Sequence, residues 1–174
     1  ICPICKETYQ SAIYHRTKGN GCPYCSSKKI ASGLNDLASL NPVLASDWHS
    51  IKNGNLLPTM VSIHSGRKVW WKCSLGHEWQ ASVANRVKGR GCPYCSNKKI
   101  LQGYNDLATT NPEIASEWHP TKNETLLPTM VSLGSHKKVW WRCKNGHEWQ
   151  SKIENRKVGN GCPICAKEKR SKLK

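Results

Sequence analysis

The apolar positions of this chain fall in short clusters separated by glycines, asparagines and lysines, and the clusters return at a fixed spacing. Residues 26–95 and 96–165 align without a gap at a period of 70, with 42 of 70 positions identical. Such a period marks an array of similar small modules rather than one large fold. Within a unit, Ser26-Ser27-Lys28-Lys29-Ile30 predicts a short helix ending near Gly33. Asn35-Asp36-Leu37-Ala38 predicts a capped helical turn. Asn41-Pro42 predicts a helix running through Ala45 to about Trp48, with asparagine as cap and proline at the first helical position. Lys52-Asn53-Gly54 reads as a loop. Arg67 to Cys73 reads as a strand, Ser74-Leu75-Gly76-His77 as a turn, and Glu78 to Val83 as the start of the following hairpin. Arg86 to Gly91 reads as a basic, glycine-bearing turn. Adjacent side chains on a strand point to opposite faces, so only one of Trp70 and Trp71 can enter the module core, where Trp48 and Trp79 would join it.

Composition agrees with small modules. Apolar residues make up 37%, phenylalanine is absent and there are 8 tryptophans, so one large core is not expected. No stretch approaches the ~18 apolar residues of a membrane-spanning helix. No signal-like segment is present, and a chain opening at Ile1 suggests a piece of something longer. Residues 1–25 read as a partial first unit, because Gly21-Cys22-Pro23-Tyr24-Cys25 lies 70 positions before Gly91-Cys92-Pro93-Tyr94-Cys95. The expected organisation is therefore 1–25, 26–95, 96–165 and a basic tail at 166–174.

The cysteines carry the chemistry. Eight of the ten form Cys-x-x-Cys pairs, and Cys73 and Cys143 are each followed four residues later by a histidine, His77 and His147. Together they make three sets of four: Cys2, Cys5, Cys22, Cys25; then Cys73, His77, Cys92, Cys95; then Cys143, His147, Cys162, Cys165. Four nitrogen or sulfur ligands are what structural zinc takes, and closed sites of this kind hold no open position for catalysis. Disulfides are the alternative, but adjacent Cys-x-x-Cys disulfides are usually redox-active and no thioredoxin-like pattern accompanies them. Iron–sulfur ligation is disfavoured by the two histidines. Three zinc ions are expected.

Each unit orders a ligand turn, a hairpin, a second ligand turn and a helix, which is the order of a treble clef. The last two ligands would then sit at a helix N-terminus. Trp70-Trp71-Lys72-Cys73, Gly76-His77-Glu78-Trp79, Gly91-Cys92-Pro93-x-Cys95, Asn35-Asp36-Leu37-Ala38 and Asp47-Trp48-His49 resemble the probable zinc-ribbon, treble-clef repeat family. Trp140-Trp141-Arg142-Cys143, Gly146-His147-Glu148-Trp149 and Glu117-Trp118-His119 carry the likeness through the second copy. The partial unit departs from it at Cys2 and Cys5. The resemblance implies tandem α+β treble-clef, zinc-ribbon-like modules. The family occurs in bacteria, phages and large DNA viruses, often beside restriction-endonuclease-like domains. That implies DNA binding, an effector or nuclease domain nearby, and an intracellular setting in cytoplasm or nucleoid.

The charge points the same way. Lys and Arg number 27 against 11 Asp and Glu, a formal +16, and three zinc ions with ten thiolates would lower this by four, to +12. Cations recur at the 70-residue period: Lys28 and Lys29 with Lys98 and Lys99 on the expected helix, Arg67 and Lys68 with Lys137 and Lys138 opening the strand, and Arg86 with Arg156 in the expected hairpin. Lys88 and Arg90 are further candidates in the turn. Recurrent cations without compensating acids suit phosphate contact, which supplies most sequence-independent affinity. Duplex DNA is the expected partner, ahead of RNA, with no membrane. The alternative is a structural or protein–protein zinc module, whose signature would be an exposed apolar patch built from spare tryptophans. No catalytic constellation appears, so no enzyme activity is expected. His49 and His119 are expected to cap a helix end, and Glu78 and Glu148 to orient the neighbouring ligand histidine.

Overall fold

A computed structural model describes residues 1–172; Leu173 and Lys174, the end of the basic tail, lie outside the described residues. The chain separates into two compact units, Ile1–Cys92 and the part from Pro93 onward. The first unit contains α1 (Ile13–Thr17), α2 (Leu37–Leu40), α3 (Pro42–Ala45), β1 (Lys68–Lys72), β2 (Glu78–Ser82) and α4 (Val83–Val87). The second contains α5 (Leu107–Thr110), α6 (Pro112–Ser116), β3 (Lys138–Arg142), β4 (Glu148–Lys152), α7 (Ile153–Lys157) and α8 (Pro163–Ser171). The fold is small α+β: two separate antiparallel hairpins among very short helices. No helix among the described residues is long and apolar enough to cross a membrane.

The short helices form because their ends are capped. The Asp36 carboxylate accepts from the backbone N–H of Ser39 at 2.9 Å and of Gly33 at 2.6 Å, and Asn41 Oδ1 accepts from Leu44 N–H at 3.0 Å. A four-residue helix has almost no propagation energy of its own, so caps and packing hold it. Asp36 is wholly buried, which is tolerable because its oxygens are satisfied.

The hairpin register sets Trp71 opposite Trp79 and Val69 opposite Ala81. Trp71, with Val69, takes the core face, and Trp70 is left half-buried on the other. The second unit repeats this, with Trp141 fully buried in a cluster holding Leu107, Val131, Val139, Trp149 and Ile153. Trp48 meets Trp71 edge-on at 5.5 Å, and Trp118 meets Trp141 at 5.4 Å. Their polar edges are satisfied: Trp71 Nε1–H donates to the Ala81 carbonyl at 3.0 Å, and Trp48 Nε1–H to that of Leu56 at 3.1 Å.

Two expected elements differ. Ser26 to Ile30 and Ser96 to Ile100 are turns, not helices. Ser27 and Asn97 take positive φ (55° and 54°), and the N–H groups of Lys28 and Lys29 both return to the Pro23 carbonyl, at 2.8 and 3.0 Å. That closes the turn after one winding. Only after Cys162 does a helix run on, where Ala166 and Lys167 replace the serine and the serine or asparagine of the other units. The stretch before the closing ligands is also not a plain turn, because Val83–Val87 and Ile153–Lys157 are helical.

The first 25 residues make only the closing part of a module. Ile13, the counterpart of Val83 and Ile153, is 82% exposed where those two are 0%. Residues 1–25 do not include the part of the repeat that bears Trp48 and Trp71.

Candidate metal centres and basic surface

The second and third ligand sets are each assembled from two turns joined through a hairpin, whereas between the two cysteine pairs of the first set the only regular element is α1. Gly76 and Gly146, at positive φ of 82°, turn the chain between cysteine and histidine, and Cys73 N–H bonds the His77 carbonyl at 3.1 Å. The hairpin returns the chain, and α4 or α7 carries it to the closing pair. In all three sets the four ligand atoms lie within 4.8 Å of one another.

The distances fit a tetrahedral ion. Four sulfurs at about 2.3 Å from zinc lie about 3.8 Å apart, and a sulfur and an imidazole nitrogen lie about 3.5 Å apart. Cys2 Sγ to Cys25 Sγ and Cys5 Sγ to Cys22 Sγ are both 3.6 Å, and Cys143 Sγ to Cys165 Sγ is 3.8 Å. His77 Nδ1 lies 3.6 Å from Cys73 Sγ and 3.7 Å from Cys92 Sγ. His147 Nδ1 lies 3.3 Å from Cys165 Sγ and 3.6 Å from Cys162 Sγ. A disulfide would need about 2.05 Å, and none of the ten cysteines is in a disulfide. Histidine therefore ligates through Nδ1. The thiols also need a cation to be deprotonated together: the backbone N–H of Cys5 lowers Cys2 to about 6, while the Cys5 thiol and then burial push Cys25 up to about 12.

The helix N-terminus expected behind each closing pair exists only in the third site. There Cys162 caps α8, its Sγ accepting from Cys165 N–H at 3.5 Å. Glu168 of the same helix stands 3.7 Å from His147 Nε2.

Glu78 and Glu148 do not orient the ligand histidines. Glu78 Oε1 lies 3.0 Å from Nε2 of His49 and Glu148 Oε1 lies 2.9 Å from that of His119, with Lys52 and Lys122 on the other oxygen. Lys122 and then His119 hold Glu148 down to about 2. Nor do His49 and His119 cap a helix. His49 Nδ1 accepts from the N–H groups of Ile51 and Lys52, both at 3.2 Å, which assigns its proton to Nε2 and pins the following loop to β2. Asn53 completes the fastening, accepting from Trp70 N–H at 2.8 Å and donating to its carbonyl at 2.9 Å like a short extra strand. Lys52 Nζ then sits 4.4 Å from the centre of the Trp70 ring. Local sequence pattern does not group His49, Lys52 and Asn53 as a unit, although each is identical in both repeats.

The basic candidates divide into two groups. Lys28, Lys29, Arg67, Lys68, Lys88, Arg90, Lys98, Lys99, Lys137 and Lys138 are all exposed. Arg86 and Arg156, expected in the hairpin, lie instead on α4 and α7 and are 8% exposed. Arg86 pairs with Asp47, donates to the Arg90 carbonyl at 2.8 Å, and lies 5.1 Å from the rings of both Trp71 and Trp79. Arg156 pairs with Glu117 at 2.6 Å between Trp141 and Trp149. Both guanidiniums serve the core and not the surface.

With the sites in view, the chain can be set beside known proteins. It is 28% identical over 105 residues to a protein named "Putative endonuclease" from Escherichia phage T5, an alignment covering 60% of this chain and 34% of the relative. The chain thus spans about a third of that protein's length. The family described as "Probable Treble clef zinc finger domain" matches three times, at residues 1–28, 44–98 and 114–168. Each match closes on one of the three ligand sets, and together they cover most of the chain, which therefore belongs to the treble clef zinc finger family so described.

Proposed function

We propose that this zinc-finger repeat array binds nucleic acid, duplex DNA in first place, and serves as a non-catalytic targeting part beside an effector such as a nuclease. The observation that carries the reading is the ten exposed cations, eight of them recurring at the 70-residue period, on a chain that keeps about +12 after zinc is counted. Zinc is structural here. Its four protein ligands leave no open position for a water or a substrate, so the ion fixes turns and holds the hairpin while surface lysines meet phosphates. The phage relative, named for an endonuclease and about three times as long as the aligned part, is consistent with a binding module next to a separate catalytic one.

Fluorescence anisotropy of a labelled duplex, titrated with salt, tests this. With about five phosphates neutralised, log K should fall against log salt with a slope of about −4.5. No binding at low salt would overturn the reading. Supercoiled plasmid incubated with the chain and magnesium should stay uncut, and nicking would overturn the non-catalytic part.

The adaptor reading has one observation of its own. No tryptophan is fully exposed, so the expected tryptophan patch is absent among the described residues. Each repeat does, however, expose a leucine and a methionine on the same 3-10 turn, Leu57 with Met60 and Leu127 with Met130. Absence of duplex binding at low salt, together with self-association that is lost when these four are changed to serine, would favour it.

A further inference from the structure

The first unit holds a recess of about 260 Å³ whose wall includes Tyr9, Ser11, His15, Asn20, Lys28 and Lys29, with no carboxylate among its lining residues. It lies beside the first ligand set, between α1 and the turn that follows Cys25. The two lysines are not on a loose tail. Their backbone N–H groups are tied to the Pro23 carbonyl, and Asn35 Nδ2 donates to the Lys29 carbonyl at 2.9 Å. Asn20 Nδ2 lies 3.4 Å from His15 Nδ1; an amide nitrogen only donates, so Nδ1 accepts and His15 keeps Nε2–H as a donor. Tyr9 is steadied by Arg16, whose guanidinium donates to its hydroxyl at 2.6 Å.

We propose that this recess seats one phosphodiester of a bound nucleic acid, with Lys28 and Lys29 supplying charge and His15 Nε2–H a directed hydrogen bond. It rests on the nucleic-acid reading above and adds a residue, His15, that no repeat pattern marks. The lining separates it from the larger recess beside the third ligand set, where Arg142 and Lys144 stand with Glu113 and Glu117: a phosphate placed here meets donors from α1 and from the pinned turn at once and no carboxylate, with less backbone ordering left to be done on binding. The repeat supplies its own contrast. The stretch after Cys95 keeps lysines at both corresponding positions, Lys98 and Lys99, whereas the stretch after Cys165 carries Glu168 where that after Cys25 has Lys28.

The test compares the unaltered chain and three variants of it on one duplex by anisotropy across a salt series, each first shown by native mass spectrometry to carry its zinc. The triple variant His15→Gln, Lys28→Gln, Lys29→Gln is set against Lys144→Gln, Lys157→Gln, which removes the same formal charge outside the recess. Giving up one seated phosphodiester should flatten the salt slope by about 0.9 and weaken binding about tenfold relative to that control. Lys28→Glu alone, which places at this position the residue that follows the last ligand pair, Glu168, should fall in the same direction. Equal losses in the triple variant and its control would overturn the recess while leaving general nucleic-acid binding intact. Failure of the unaltered chain to bind duplex would overturn both.

Discussion

Each full repeat buries one arginine between two tryptophans and answers its charge with a carboxylate that is only about one-third exposed: Asp47 for Arg86 and Glu117 for Arg156. Replacing Arg156 by Met would remove the ion pair and both ring contacts. Because Glu117 can still reach water, the loss should be about 2–3 kcal/mol, below that for a fully buried pair. Lys at the same position should recover little, since its ammonium has no flat face to lie between the rings. Thermal unfolding of the zinc-loaded chain measures both. Glu148 gives a pH dependence of definite sign. Lys122 and His119 hold its pKa at about 2 against an ordinary 4.5, so its contribution is fully present above about 4.5 and is lost as pH falls toward 2. The gap in Tm between the unaltered chain and Glu148→Gln, with zinc in excess, should be present above about pH 4.5 and narrow as pH falls below it. A gap that widened in acid would contradict the assignment.

At the scale of elements, the units hold together through side chains that imitate backbone. Asn35 and Asn105 reach across the post-ligand turn: Asn105 Nδ2 donates to the carbonyls of Tyr94 at 3.0 Å and Lys99 at 2.9 Å, while its Oδ1 accepts from Leu101 N–H at 2.7 Å. Asn105→Ala should therefore strand buried polar groups, destabilise the second unit by about 2–3 kcal/mol and release the turn bearing Lys98 and Lys99. Hydrogen exchange at residues 98–101 should rise while exchange on β3 and β4 stays slow. The strands and the capped helices are legible in the sequence, because alternation, Asn-Pro and Asn-Asp carry their own local signals. The turn after the closing cysteines is not. Ser26-Ser27-Lys28-Lys29 has acceptable helix formers, and what stops it is the positive φ at Ser27, with the Lys28 and Lys29 N–H groups returned to Pro23 and Asn35 holding the Lys29 carbonyl. The place of Arg86 and Arg156 is hidden for a related reason: a lone cation in a polar stretch reads as surface until Asp47 and two rings are found opposite it.

For the whole molecule, metal replaces the large core that the composition does not allow. Zinc bound to sites like these contributes on the order of 10 kcal/mol each to folding. Native mass spectrometry should find three ions, and a strong chelator should remove both the ions and the near-ultraviolet circular dichroism of the tryptophans. Two ions would mean that the partial first unit leaves Cys2, Cys5, Cys22 and Cys25 unfilled. Far-ultraviolet signal should change less in proportion, since the helices are short at the outset.

The sequence by itself determined the three ligand sets, the period of 70, the hairpins and the basic character, because each is written in spacing or composition along a few adjacent residues. The tertiary structure decided the rest. It chose Trp71 over Trp70 for the core, took Arg86 and Arg156 from the surface, turned Glu78 toward His49 instead of His77, and gathered His15 with Lys28 and Lys29 around one recess. In each of these cases the deciding neighbour lies well away along the chain, and only packing brings the two within reach.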